Sequence, residues 1–160
     1  MQKSIKDFDI PNKKIETWKF TDLKKIYEKN NFEPLKNSKK NTQSTSINKN
    51  IENNIFFDPK VNFVIFDNGL LKKINIVSND LQIELLTEKS KKIMFDKKNF
   101  IRNDSLLDIN TNFLNENLLV KVKKNKKLEK PIPIFYYNDS NKNNLLNNRI
   151  NIILEENAKA

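Results

Sequence analysis

An α+β fold is predicted for this chain by three features. Two short stretches carry apolar residues at helical spacing, a strand–Asn-Gly–strand signature lies mid-chain, and polar and apolar residues alternate in the last quarter. The 160 residues suffice for one hydrophobic core with a smaller appendage. The apolar share of 37% is below the soluble average but above that of a chain unable to fold.

Taken in order, residues 1–35 read as an extended lead followed by a short helix. Pro11 holds Ile10 extended and sets an opening turn. Thr21 is expected to cap a helix beginning at Asp22, whose carboxylate suits the positive helix end. Leu23, Ile26 and Tyr27 fall on one face of that helix, and Trp18 and Phe20 are expected to pack beneath it, with a partner-binding role as the alternative. Residues 36–54 are polar and without period, the pattern of a linker.

Residues 55–127 read as a small α+β region. Residues 62–67 and 70–77 form a predicted hairpin around Asn68-Gly69, a type I′ turn signal, with the chain's single glycine where positive φ is needed. One glycine makes no phosphate-binding loop. Residues 81–86 offer another strand. Asn103 or Asp104 is expected to start the second helix, whose stripe runs through Leu106, Ile109 or Asn110, and Phe113, with Leu107 and Leu114 beside it. A turn at Asn115-Glu116-Asn117 then leads to a strand over 118–122, and residues 123–127, Lys-Lys-Asn-Lys-Lys, read as a solvated turn or a partner contact. Residues 128–160 are strand-rich. Pro131 and Pro133 favour an edge position for the strand reaching Tyr137, because proline donates no ladder hydrogen bond. Residues 149–156 begin with the alternation of a sheet having one buried face.

The chain contains neither Cys nor His, which excludes disulfides, thiolate or imidazole metal ligands, and Ser-His-Asp or Cys-His nucleophilic chemistry from its own residues. No acidic run matches a calcium loop. Residue types alone therefore nominate no catalytic, cofactor-binding or metal-ligating residue, and the chain reads as no enzyme. The formal charge of +10 invites a polynucleotide reading. However, 28 Asn and 28 Lys accompany only two Arg, a bias that AT-rich codons explain along the whole chain. The shortage of Arg removes the usual bidentate reader of bases and phosphates. No segment reaches the roughly 20 apolar residues of a membrane span, and the start, Met1-Gln2-Lys3-Ser4, lacks the apolar stretch of a signal peptide. The expected location is the cytoplasm.

Several of these stretches, in the same order, resemble the SufB/SufD family of the Suf iron–sulfur cluster assembly system, on its SufD-like side. Pro11-Asn12-Lys13-Lys14-Ile15-Glu16-Thr17-Trp18-Lys19-Phe20-Thr21-Asp22-Leu23 is similar to the family's N-terminal pattern of Pro, a basic pair, Glu, then Trp-Lys/Arg-Tyr/Phe-Thr and Leu. Phe66-Asp67-Asn68-Gly69 resembles its short hairpin. Leu107-Asp108-Ile109-Asn110-Thr111-Asn112-Phe113-Leu114 resembles the helix with the Leu-Asn-x-Ala-Phe pattern. Pro131-Ile132-Pro133-Ile134 and the segment from Arg149 to Ala158 resemble the start of its repetitive domain. Asn112, where the family has a small residue, and Glu116-Asn117, where it commonly has glycine, are departures.

The resemblance implies a mixed N-terminal region leading into a right-handed parallel β-helix, of which residues 128–160 are expected to be the beginning and the remainder truncated. It also implies a scaffold role beside a SufB-like subunit and a SufC-like ATPase. The family's functional Cys and His have no counterparts here, so none is transferred. A second reading, independent of the resemblance, is a standalone basic interaction module binding RNA or an acidic protein. A small hydrolase is a third, for which no carboxylate pair is nominated.

Overall fold

The structure, a computed structural model, describes residues 4–35, 49–86, 105–138 and 143–160. The expected linker over 36–54 and the expected helix start at Asn103 or Asp104 lie partly or wholly outside the described residues. The described residues are mixed α+β, with three small sheets and few helices among them.

The N-terminal stretch opens with a 3-10 turn at Ile5–Asp7, closed by a reciprocal cap in which the Ser4 amide donates to Asp7 Oδ2 at 2.7 Å and the Ser4 hydroxyl accepts from Lys6. A second 3-10 turn, Glu16–Trp18, leads to α1, Leu23–Asn30. The N-cap of α1 is Asp22 rather than Thr21: its side chain accepts from the Lys25 amide at 3.1 Å, while the Thr21 amide bonds back to Trp18. Asn31, at φ 46°, ends the helix in the left-handed region. The chain then forms β1, Glu33–Pro34. Lys49–Glu52 are not linker but one helical turn, α2, held by the buried Ile51.

The hairpin forms as the sequence predicts, slightly shortened: β2 is Phe63–Asp67 and β3 is Leu70–Asn75. Asn68 at φ 48° and Gly69 at φ 82° supply the two positive angles of the type I′ turn. Gly69 has a second reason to be glycine, since a Cβ there would stand 2.8 Å from Leu146 Cδ2. β4, Leu81–Leu85, pairs antiparallel with β5, Glu116–Val122. α3, Ser105–Asn112, precedes β5. Three further strands follow: β6 at Ile134–Tyr137, β7 at Asn144–Leu145 and β8 at Asn148–Leu154.

The strand orders are β3-β2-β6 and β4-β5-β8, with β1 and β7 paired apart. Both larger sheets draw on residues from either side of position 127, so the expected 55–127 and 128–160 regions share one core. Val64, Phe66, Leu81, Ile83, Leu118, Val120 and Val122 fill the space between the two sheets. Because side chains alternate along a strand, β2 turns Phe63 and Ile65 the other way, onto Ile51, Phe57 and Phe135. The uninterrupted Phe-Val-Ile-Phe run is thus a strand buried on both faces. A third cluster joins the N-terminal stretch to α3: Ile5, Ile10, Ile109 and Phe113, with Phe8 edge-on to Phe113 at 5.7 Å.

The turn expected at Asn115-Glu116-Asn117 is instead the beginning of β5. Tertiary partners answer the polar groups that argue locally for a turn. The Glu116 carboxylate takes the Leu71 amide at 2.5 Å, and Asn117 Oδ1 takes the Asn151 side-chain amide at 2.5 Å, while Asn117 Nδ2 is buried without a partner among the described residues. Asn117 itself is only 1% exposed. The other correction concerns the aromatics before α1. Phe20 is 88% exposed, Trp18 is half-buried and belongs to none of the three clusters, and Ile26 faces out. Only Leu23 and Tyr27 of the predicted stripe reach the core. Eight residues of helix with the cap at Asp22 turn the Trp18–Phe20 segment outward rather than under it.

Candidate partner interface

The parallel pairing of β5 with β8 keeps one constant register from Glu116↔Asn148 through Val122↔Leu154, and it does not stop where the strands stop. The Asn125 amide donates to the Glu156 carbonyl at 2.9 Å, the Lys159 amide to Lys126 at 2.9 Å, and the Leu128 amide to Lys159 at 3.0 Å. Lys127 and Lys159 form a further parallel bridge. The ladder therefore turns the corner intact, and residues 148–159 lie on 116–127 layer upon layer.

The corner repeats in detail. Asn125 and Asn157 both sit at φ 58°, and Asn157 Nδ2 donates to Asn125 Oδ1 at 3.1 Å. Asparagine is one of the few residues that visits this left-handed region readily. At the opposite end of β5 a second asparagine pair meets across the two layers by a different bond, the Asn147 backbone amide donating to Asn115 Oδ1 at 2.6 Å.

Charge follows the layers. The lower corner carries lysines and the upper one Glu155 and Glu156. Lys121 Nζ stands 2.8 Å from Glu155, and Lys124 pairs with Glu156. Lys126 reaches Asp80 at 2.9 Å and Lys127 reaches Glu129 at 3.2 Å. The basic run at 123–127 is thus a solvated corner whose charge is largely answered by its neighbours. That arrangement is poor for phosphate binding, which needs uncompensated cations. The Lys121 ammonium, together with the Lys124 amide, holds the Glu155 carboxyl below the usual glutamate range.

Among the described residues the upper layer is less covered than the lower. Leu118, Val120 and Val122 are buried, whereas Ile152 and Leu154, in register with Val120 and Val122, are 68% and 48% exposed. Arg149 ties β8 to α3, donating from Nη2 to Asn110 Oδ1 at 2.6 Å and to Thr111 Oγ1 at 3.1 Å. Burial lowers its pKa, and it remains a cation.

Among the described residues no group of three or more acidic side chains converges to hold a metal ion, and no helix is long and apolar enough to cross a membrane. Of Trp18 and Phe20, weighed above as core or partner residues, Phe20 lies at the surface with the Lys19 ammonium 5.2 Å from its ring centroid, and Trp18 is half-buried. Gly69 serves its turn and approaches no site. The stacked corner escaped the sequence reading. Its signal is present: apolar residues at the first and third positions, then two charges of one sign and an asparagine, occur at 120–125 (Val-Lys-Val-Lys-Lys-Asn) and again at 152–157 (Ile-Ile-Leu-Glu-Glu-Asn). The reversal of charge between the copies hides the repeat from residue-by-residue comparison. No protein family, curated protein or solved structure matches the chain.

Proposed function

We propose that this chain is the N-terminal part of a SufD-like scaffold subunit for iron–sulfur cluster assembly, acting in the cytoplasm with a SufB-like scaffold subunit and a SufC-like ATPase. On this reading residues 128–160 begin a right-handed parallel β-helix, laid on 116–127. The observation that carries it is the layering of 148–159 on 116–127 in one register around a corner of stacked left-handed asparagines. A solenoid buries its core through such neighbour-on-neighbour layers, and the ordered matches from Pro11 to Ala158 supply the family. The role is to hold partners in place, not to catalyse. Without a thiolate or an imidazole the chain offers a cluster no ordinary ligand, so the cluster is a cargo whose ligands lie outside residues 1–160.

Co-expression with a SufB-like and a SufC-like subunit, followed by affinity capture of this chain, tests the reading. Both partners are expected to co-purify, and failure to retain either by a chain with intact circular dichroism rejects it. Anaerobic reconstitution of the pure chain is expected to leave no stoichiometric iron and sulfide, and the pure chain is expected not to turn over ATP.

One observation favours the second reading, a basic interaction module for RNA or an acidic protein: the exposed Phe20 beside Lys19 is a surface aromatic of the kind that stacks on bases. Salt-dependent binding to single-stranded RNA that Phe20→Ala abolishes would establish it.

A further inference from the structure

Residues 11–24 form a closed surface loop. The Lys24 amide donates to the Pro11 carbonyl at 3.0 Å, which pins the two ends together over the buried Ile10 and Pro11. Between the ends the backbone is satisfied by its own turns. The Lys14 amide donates to Asn12 Oδ1 at 2.9 Å and the Ile15 amide to the Asn12 carbonyl at 3.1 Å. The Trp18 and Thr21 amides reach the carbonyls of Ile15 and Trp18, each at 2.8 Å. No side chain from Asn12 to Asp22 belongs to any of the three apolar clusters. Compact loops with joined ends are frequently functional.

The side chains on this loop are unusual for an idle surface. Phe20 is 88% exposed, Ile15 is exposed, and Trp18 is half-buried. Ile26, just beyond in α1, is exposed as well. Cations flank these apolar groups: Lys13, Lys14, Lys24 and Lys25 are exposed and form no ion pair among the described residues. The acids of the loop are already engaged, Glu16 with Lys19 at 2.8 Å and Asp22 as the cap of α1. The basic corner at 123–127 differs, because Asp80, Glu129 and Glu156 answer its lysines.

We propose that this loop docks the chain on the surface of an anionic phospholipid bilayer. Phe20 and Trp18 enter the boundary between headgroups and acyl chains, and Lys13, Lys14, Lys24 and Lys25 face the lipid phosphates. A protein partner would need a pocket shaped for the projecting Phe20 ring, and protein interfaces favour Arg and deplete Lys. Readers of polynucleotides likewise rely on Arg. The loop has none, and whatever the codon origin of that shortage, the chemistry left to it is lysine beside aromatic rings. A bilayer suits that chemistry. It needs no preformed pocket, takes tryptophan at its boundary, and lets lysine lay its alkyl stem along apolar groups while the ammonium stays among the headgroups. Apolar insertion together with attraction to anionic lipid is what makes a shallow anchor hold. The chain rests on the surface without crossing it. The loop's geometry and charge are independent of the scaffold reading, so the full chain is tested without any other protein.

Trp18 is the single tryptophan of the chain, so its fluorescence reports from inside the loop. With vesicles of phosphatidylglycerol and phosphatidylcholine in equal parts, the chain is expected to co-sediment. Its Trp18 emission is expected to shift to the blue and to be shielded from acrylamide. A formal charge of +10 draws any anionic surface, so the variants decide. Phe20→Ala, checked by circular dichroism for an intact fold, is expected to weaken binding about tenfold or more, the effect of one inserted aromatic ring. Lys13→Ala combined with Lys14→Ala is expected to weaken it roughly thirtyfold. Phe56→Ala, at an exposed phenylalanine outside the loop, is expected to leave it unchanged. No binding to the anionic vesicles at low salt, binding with an unshifted Trp18, or equal effects of Phe20→Ala and Phe56→Ala overturns the proposal. So does a Trp18 shift on single-stranded RNA or on polyglutamate with none on vesicles, which would give the loop to a polynucleotide or to an acidic protein.

Discussion

Asn157 sits directly over Asn125, 32 residues earlier in the chain, in the same left-handed conformation and hydrogen-bonded to it through the side-chain amides. Each asparagine lets the backbone turn a corner at the same height as the strand below or above it, so the β5–β8 register survives the corner and Lys127 still meets Lys159.

That relationship predicts a graded response to substitution. Asn157→Gly keeps the left-handed backbone and loses only the surface amide bond, whereas Asn157→Ala also incurs the steric cost of a Cβ in that region, about 1–2 kcal/mol. Urea unfolding is expected to rank wild type above Gly and Gly above Ala, with the same order at Asn125. An Ala variant as stable as the Gly variant would remove the conformational role.

Gly69 is predicted to be less replaceable than either asparagine. Gly69→Ala meets both a φ of 82° and the Leu146 side chain, and a cost of roughly 1–3 kcal/mol follows from strain of this kind. Adding Leu146→Ala to Gly69→Ala should recover the steric part and leave the conformational part. A double-mutant cycle reads the difference directly.

The closed and open layers predict opposite sensitivities on one face. Leu118→Ala removes a fully buried side chain and is expected to cost about 2–5 kcal/mol. Ile152→Ala, in a largely exposed position, is expected to stay within about 0.5 kcal/mol of wild type when unfolding is measured on monomer. By the same argument Phe20→Ala leaves stability nearly unchanged, and half-buried Trp18→Ala costs less than the ~3–5 kcal/mol of a buried tryptophan.

Acid should loosen the corner. The folded state holds Glu155 below its ordinary pKa through the Lys121 ammonium and the Lys124 amide. The stabilisation is therefore fully present above the unfolded glutamate value of about 4.3 and is lost as pH falls through the lower folded value. Glu155→Gln is expected to be less stable than wild type at neutral pH and to converge on it in acid. A stability difference that does not change with pH would mean that the carboxylate charge plays no part.

Residues and their spacing alone determined the hairpin, because Asn68-Gly69 answers a local demand for two positive φ angles, and the strand character of 81–85, 118–122 and 149–154. They also determined the absence of thiolate and imidazole chemistry. Only the tertiary structure decided that Glu116 and Asn117 extend β5, since the Glu116 carboxylate and the Asn117 side-chain oxygen are answered by Leu71 and Asn151, far away in sequence. It likewise decided that Phe20 faces outward and that Trp18 is only half-buried, a matter of how one short helix sits on Ile10, Ile109 and Phe113 rather than of any property of the aromatics. The layering of 148–159 on 116–127 belongs to the tertiary structure too. Parallel pairing joins residues separated by a whole coil, and no local propensity records which two strands will meet.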